Sequence, residues 1–172
     1  MTALYQLKIA LSGTKPLVWR RVMTYNTISL LELHEIIQIT MGWENAHLWA
    51  FEFQQSTLDE KYANHILSEY ITESNQHFYY IYDFGDHWQH KITLEKVIDK
   101  GQSALPPYCI TGKNACPPED CGGIWGYAEL LEAIEDESHS AHELALAQLG
   151  RNFKPNVFDV AAVNKALQAY QK

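Results

Sequence analysis

The run Tyr82-Asp83-Phe84-Gly85-Asp86-His87-Trp88-Gln89-His90 and the later stretch Cys116-Pro117-Pro118-Glu119-Asp120-Cys121-Gly122-Gly123 gather carboxylates, imidazoles and thiols at a density that a plain turn does not need. Asp, Glu and His exchange protons or bind cations near neutral pH. A carboxylate bonded to one nitrogen of an imidazole orients the other nitrogen, in catalysis and metal binding alike. Asp83, Asp86, His90, Glu119 and Asp120 are therefore the candidates for acid–base work. Each also has a plainer reading. Asp and Gly are ordinary turn residues, an inward histidine is commonly satisfied by a carbonyl, and Glu119-Asp120 can cap a helix starting near Gly126-Tyr127.

Cys109, Cys116 and Cys121 are spaced C-x6-C-x4-C. Structural zinc takes thiolates and imidazoles in a tetrahedron, usually from C-x2-4-C pairs. The spacing comes near that pattern without matching it. A zinc or iron site completed by His47 or His90 is one reading, and small buried apolar side chains are another. A third makes Cys121 a reactive thiol whose pKa is lowered by the backbone N–H groups near Gly122-Gly123.

The elements that must position these residues are legible from periodicity. Tyr5, Leu7, Ile9 and Leu11 alternate with polar residues, Ser12 to Pro16 is a turn, and Leu17 to Met23 returns as a second strand. Ser29 and Glu32 form a capping box for a helix that Gly42 ends. His47 to Phe53 is a strand with His47, Trp49, Phe51 and Phe53 on one face. Residues 54 to 76 carry little pattern. Phe78 to Tyr82 and Trp88 to Val97 read as strands around an Asp83–Asp86 turn, with Trp88, His90, Ile92 and Leu94 facing the core. A proline-stiffened loop then runs from Asp99 to Gly123. Beyond it the chain is helical: Tyr127 to Ile134, a segment with a Ser140–Glu143 capping box that Gly150 stops, and a last helix capped by Asp159. The expected fold is α+β, a mixed sheet opened by a hairpin–helix–strand (β-grasp-like) unit with a C-terminal helical portion. It reads as one domain over 1–172: sheet plus one helix to 98, an ordered loop over 99–125, and helices over 126–172.

At 172 residues and 47% apolar the chain can bury one good core. No run of about 18 apolar residues occurs, and the N-terminus alternates like a strand rather than a leader. The expected location is cytoplasmic, with no membrane association. A net charge of -8 disfavours broad nucleic-acid binding.

The motif Tyr82-Asp83-Phe84-Gly85-Asp86 with Trp88, His90 and Glu95, followed by Cys116-Pro117-Pro118-Glu119-Asp120, Gly122-Gly123 and Gly126-Tyr127, resembles the Ri-plasmid open-reading-frame-three-like family. That family is also labelled a mobile-element passenger TnpR-like family. Trp19-Arg20-Arg21, Met41-Gly42-Trp43, His47-Leu48 with Phe51, Asn152-Phe153 and Phe158-Asp159 are similar too, so the resemblance spans nearly the whole chain. It implies a plasmid or transposon association and no recombinase chemistry. Many members carry a second histidine two positions after the first, where this chain has Trp49.

Three functions follow as expectations. The first is a binding or adaptor module for a protein partner, with a polar Asp/His/Glu site. The second is a metal-assisted hydrolase using the Asp83–His90 turn and the Cys109–Gly123 loop. The third is sequence-specific nucleic-acid binding through Trp19-Arg20-Arg21.

Overall fold

The computed structural model describes residues 3–99 and 105–170. Its strands are β1 (Ala3–Leu11), β2 (Trp19–Tyr25), β3 (Trp49–Phe53), β4 (Ser56–Asp59), β5 (His77–Tyr82), β6 (Trp88–Asp99) and β7 (Tyr108–Lys113); its helices are α1 (Leu30–Met41), α2 (Gly123–Glu135), α3 (His142–Leu149) and α4 (Val160–Tyr170). The strands form one sheet in the order β4-β3-β5-β6-β1-β2-β7. Every pairing is antiparallel, so the sheet is not mixed. β3 follows α1 in sequence but pairs with β4 and β5, and β5 and β6 stand between it and β1. The long β1–β6 register, Ala3 opposite Asp99 to Leu11 opposite His90, takes the place beside the hairpin instead.

Alternation decides which face is covered. Tyr5, Leu7, Ile9 and Leu11 are buried, whereas Gln6, Lys8 and Ala10 are half-exposed on the open face. Trp88, His90, Ile92 and Leu94 are all fully buried on β6. α1 lies over this core face through Leu30, Leu33, Ile36, Ile37 and Met41. Its ends follow the sequence: Ser29 Oγ accepts from Glu32 N while Glu32 reaches back to Ser29 N, and Gly42 closes the helix at φ 85° with its N–H on Gln38 O.

Some parts depart from the sequence reading, and one weakly patterned segment takes on short elements. The loop expected over 99–123 contains β7, which pairs with β2 and is covered by α4; residues 100–104 of that expectation lie outside the described residues. Prolines on either side of Tyr108–Lys113 disguise a six-residue strand whose stability comes from a distant partner. Residues 54–76 hold β4 and two 3-10 turns, Glu60–Tyr62 and Leu67–Glu69. The Ser140–Glu143 box does not form: Ala141 precedes α3, Glu143 pairs with Arg151 at 2.8 Å, and His139 and His142 fasten the loop through Ala141 N and Ala133 O. Gly150 does end α3, and Asp159 accepts from Ala161 N and Ala162 N at the start of α4.

Arg20 ties the hairpin to everything around it. It is 2% exposed, and its Nε donates to Thr40 O at the end of α1. Its Nη1 donates to Trp19 O, Lys113 O and Asn114 O at 2.9 to 3.0 Å, and its guanidinium stacks 3.9 Å from the Phe158 ring. Arg21, on the open face, is bidentate to Glu95. Neither cation of Trp19-Arg20-Arg21 therefore stands free. No helix among the described residues is long and apolar enough to cross a membrane.

Candidate functional site

The Asp83–His87 turn and the start of α2 lock together at one end of the sheet. Asp83 and His87 both sit in the left-handed region, at φ 57° and 55°. Asp83 Oδ1 accepts from Gly85 N and Asp86 N, the short-range bonding that makes Asp tolerable there. Asp86 Oδ2 accepts from Gly122 N, just ahead of α2. A Cβ on Gly123 would come within 2.5 Å of Asp86 O, and one on Gly126 within 1.9 Å of Cys121 O. Both approaches are backbone to backbone, so neither can be relieved by a rotamer. Gly126→Ala should cost about 1–3 kcal/mol by overpacking, read by urea denaturation, because the loop through Cys121 must move. Wild-type stability in that variant would show that the loop gives way freely.

The loop before α2 is pinned from the other side. Trp43, just past the C-cap of α1, stacks on Tyr82 with centroids 5.0 Å apart and donates its indole N–H to Pro117 O at 2.9 Å. The Tyr82 hydroxyl donates to Glu119 Oε1 at 2.6 Å and accepts from Ala46 N. Glu119 Oε1 also accepts from Glu44 N. Glu119 thus fastens the loop rather than capping α2, whose N-cap residue is Gly122 and which has no side-chain cap. Tyr82, which ties this loop to the turn after α1, is not among the residues that sequence reasoning singled out as candidates. Its place on the buried face of an aromatic strand, immediately before Asp83, was the available signal.

These ties bring Asp120, itself at φ 55°, over His47. His47 Nε2 lies 3.0 Å from Asp120 Oδ1 and 3.7 Å from Asp83 Oδ2. The ring as a whole is partly exposed, yet Nε2 is shielded from solvent and is not aligned for a hydrogen bond with either carboxylate. Among the described residues, His47, Asp83 and Asp120 form the one group of three such side chains whose ligand atoms all lie within 4.8 Å of one another.

The remaining candidates go elsewhere. His90 is fully buried beside Trp43 and Tyr80; its Nδ1 faces Tyr80 O at 3.3 Å and its Nε2 has no partner. Burial, helped by the Arg20 charge, pulls its pKa down to about 4. Cys109 lies buried on β7, its N–H bonded to Asn164. Cys116 and Cys121 pack against the core, and none of the three thiols enters a three-ligand group among the described residues. Burial raises all three, Cys121 to about 12, which opposes the lowered pKa that a reactive Cys121 requires.

A second polar network stands behind the site. His34 is buried and stacked on Trp49 at 4.6 Å. Gln38 Nε2 donates to Tyr80 Oη, the Tyr80 hydroxyl donates to His34 Nδ1, His34 Nε2–H donates to Asn45 Oδ1, and Asn45 N donates to Gln38 Oε1. With these directions the imidazole is neutral, in keeping with burial, which holds the His34 pKa down at about 4. The network fixes the Asn45–His47 turn, where Asn45 has φ 56°.

Fold and site define an α+β protein with a seven-stranded antiparallel sheet and a His–Asp–Asp cluster at one end of it. Residues 3–162 match the plasmid pRiA4b ORF-3-like proteins, and the chain belongs to that family. It is 34% identical over 175 residues to the uncharacterised protein y4hQ of Sinorhizobium fredii, covering 95% of this chain and 88% of that one. The crystal structure of a protein of unknown function from Methanosarcina mazei superposes with a TM-score of 0.85 at 37% identity, covering 93% of this chain and 97% of the other.

Proposed function

We propose that His47, Asp83 and Asp120 hold a divalent cation, and that the chain is a cation-dependent binding module rather than a free-standing catalyst. The shielded His47 Nε2, which makes no hydrogen bond yet lies 3.0 and 3.7 Å from two carboxylate oxygens, carries this reading. Zinc bonds of about 2.0–2.2 Å in a tetrahedron place ligand atoms about 3.3–3.6 Å apart. The 3.0 and 3.7 Å separations straddle that range. Two of the three residues also adopt left-handed backbone, a cost that the surrounding ties must offset and that collects at functional sites. The family's plasmid description suits a module carried on mobile DNA.

Three protein ligands leave one coordination position open, the arrangement of catalytic zinc, and this favours metal-assisted hydrolysis as a second reading. A hydrolase also needs a nearby group free to move protons. Asp86 and Glu119, the neighbouring carboxylates, are engaged with Gly122 N and with Tyr82 and Glu44 N. That engagement favours binding.

Calorimetric titration of zinc into chelator-stripped protein should show one site. Tyr82→Phe, which frees both Glu119 and Ala46 N, should weaken it about 10–100-fold, as loss of an outer partner does. Equal affinity in Tyr82→Phe would remove Tyr82 from the site's support.

A further inference from the structure

The charge of this chain is unevenly placed. Residues 114–150 hold eight acidic residues and no lysine or arginine, which equals the whole net charge of -8, so the remainder of the chain is balanced. The helices α1, α2 and α4 pack on the face of the sheet that carries Tyr5, Leu7 and Leu11. On the opposite, open face of β5, β6, β1, β2 and β7, the register places Lys8, Arg21, Lys91, Lys96 and Lys113 against one acid, Glu95. Glu95 is already taken by Arg21 and Gln6. Among the described residues no carboxylate forms an ion pair with any of these four lysines.

The same register sets two aromatic rings among the cations. Tyr79 lies opposite Lys91, Lys91 opposite Ala10, Ala10 opposite Trp19 and Trp19 opposite Lys113, one row across five strands. Strands about 4.8 Å apart put Tyr79 and Trp19 about 14 Å from one another. Between them the small Ala10 keeps the floor low. Lys8 Nζ and Arg21 Cζ lie 5.3 and 5.1 Å from the centre of the Trp19 ring, so ring and cations form one patch. Beyond Tyr79 the row ends on Glu52, which bounds the patch on that side.

We infer that this open face binds single-stranded nucleic acid laid across the strands, its bases on Trp19 and Tyr79 and its phosphates on Lys8, Lys91 and Lys113. Bases stack on aromatic rings with little regard to sequence, and phosphates give up counterions to lysines. An acidic peptide would use the lysines and leave the rings idle. Arg20, sunk in the core, takes no part. The inference stands independently of the cation reading.

The test is fluorescence anisotropy with labelled dT15 and U15. At least one should bind at about 20 mM salt and weaken about 100-fold by about 200 mM, the slope expected for three phosphate contacts on a single strand. Lys91→Glu/Lys113→Glu should weaken binding at least tenfold; both side chains are exposed, so folding is spared. Trp19→Ala, checked for folding by circular dichroism, should weaken it at least fivefold through lost stacking. No binding of either oligonucleotide at the lower salt overturns the inference. So does equal binding of an abasic oligomer or of polyglutamate, which would make the face a general polyanion surface. Affinity unchanged in the double lysine variant also overturns it, because the strand would then lie elsewhere.

Discussion

Lowering the pH from 7 to 4 should destabilise this protein by several kcal/mol, most of it from two histidines. His34 and His90 are both buried and neutral, with pKa values held down at about 4 by burial. Each returns to about 6.5 in the unfolded chain. Below that value the unfolded state binds protons that the folded state refuses, so stability falls as pH drops. The contribution is whole above about pH 6.5 and is lost progressively down to about pH 4. Each histidine accounts for on the order of 2–3 kcal/mol. In His34 the loss has a structural form, because an imidazolium Nδ1–H must donate to the Tyr80 oxygen instead of accepting from it, which leaves the buried Tyr80 hydroxyl proton without this acceptor. Urea midpoints measured at intervals from pH 7 to 4 test this. His90→Gln should flatten the slope whatever its absolute stability. A slope unchanged in that variant would mean that His90 does not titrate across the unfolding transition.

Arg20→Met should cost about 3–5 kcal/mol. Replacing a buried ion pair by apolar residues is often harmless, because both charges leave together. Among the described residues Arg20 has no carboxylate partner to remove. It serves four backbone carbonyls, those of Trp19, Thr40, Lys113 and Asn114, and all four lose a charged donor when the guanidinium goes. Each unmet buried acceptor costs about 1–3 kcal/mol before relaxation. Arg20→Lys should recover only part of the loss, since an ammonium lacks the planar fork that reaches α1 and the end of β7 together. Chemical denaturation of both variants decides it; a loss under 1 kcal/mol in Arg20→Met would show that water reaches these carbonyls.

What the sequence revealed follows the range of the forces involved. The β1–β2 hairpin, the Ser29–Glu32 box, the Gly42 cap and the face of β6 that carries Trp88, His90, Ile92 and Leu94 are local patterns, and they stand in the structure. β7 is not local: Tyr108–Lys113 is a strand because β2 offers an edge and α4 a cover. The same holds for the cluster. His47, Asp83 and Asp120 are each conspicuous in the chain, but periodicity joined Asp83 and Asp86 to His90, four to seven residues away. His90 goes inward, as alternation implied, and leaves the cluster, while Asp120 reaches His47 through ties that no spacing announces, Trp43 to Pro117 and Tyr82 to Glu119. Arg20 shows the reverse case. An adjacent arginine pair suggests a basic surface, and strand alternation turns one of the two into the core.

The most direct measurement of the central claim is a zinc titration of stripped wild-type protein beside Asp120→Asn and a Cys109→Ser/Cys116→Ser/Cys121→Ser variant. Asp120 is largely exposed, so its substitution leaves the core intact. The account predicts one equivalent bound by wild type and by the serine variant, and at least a hundredfold loss in Asp120→Asn. Zinc bound equally by Asp120→Asn, or lost with the cysteines instead, would contradict it.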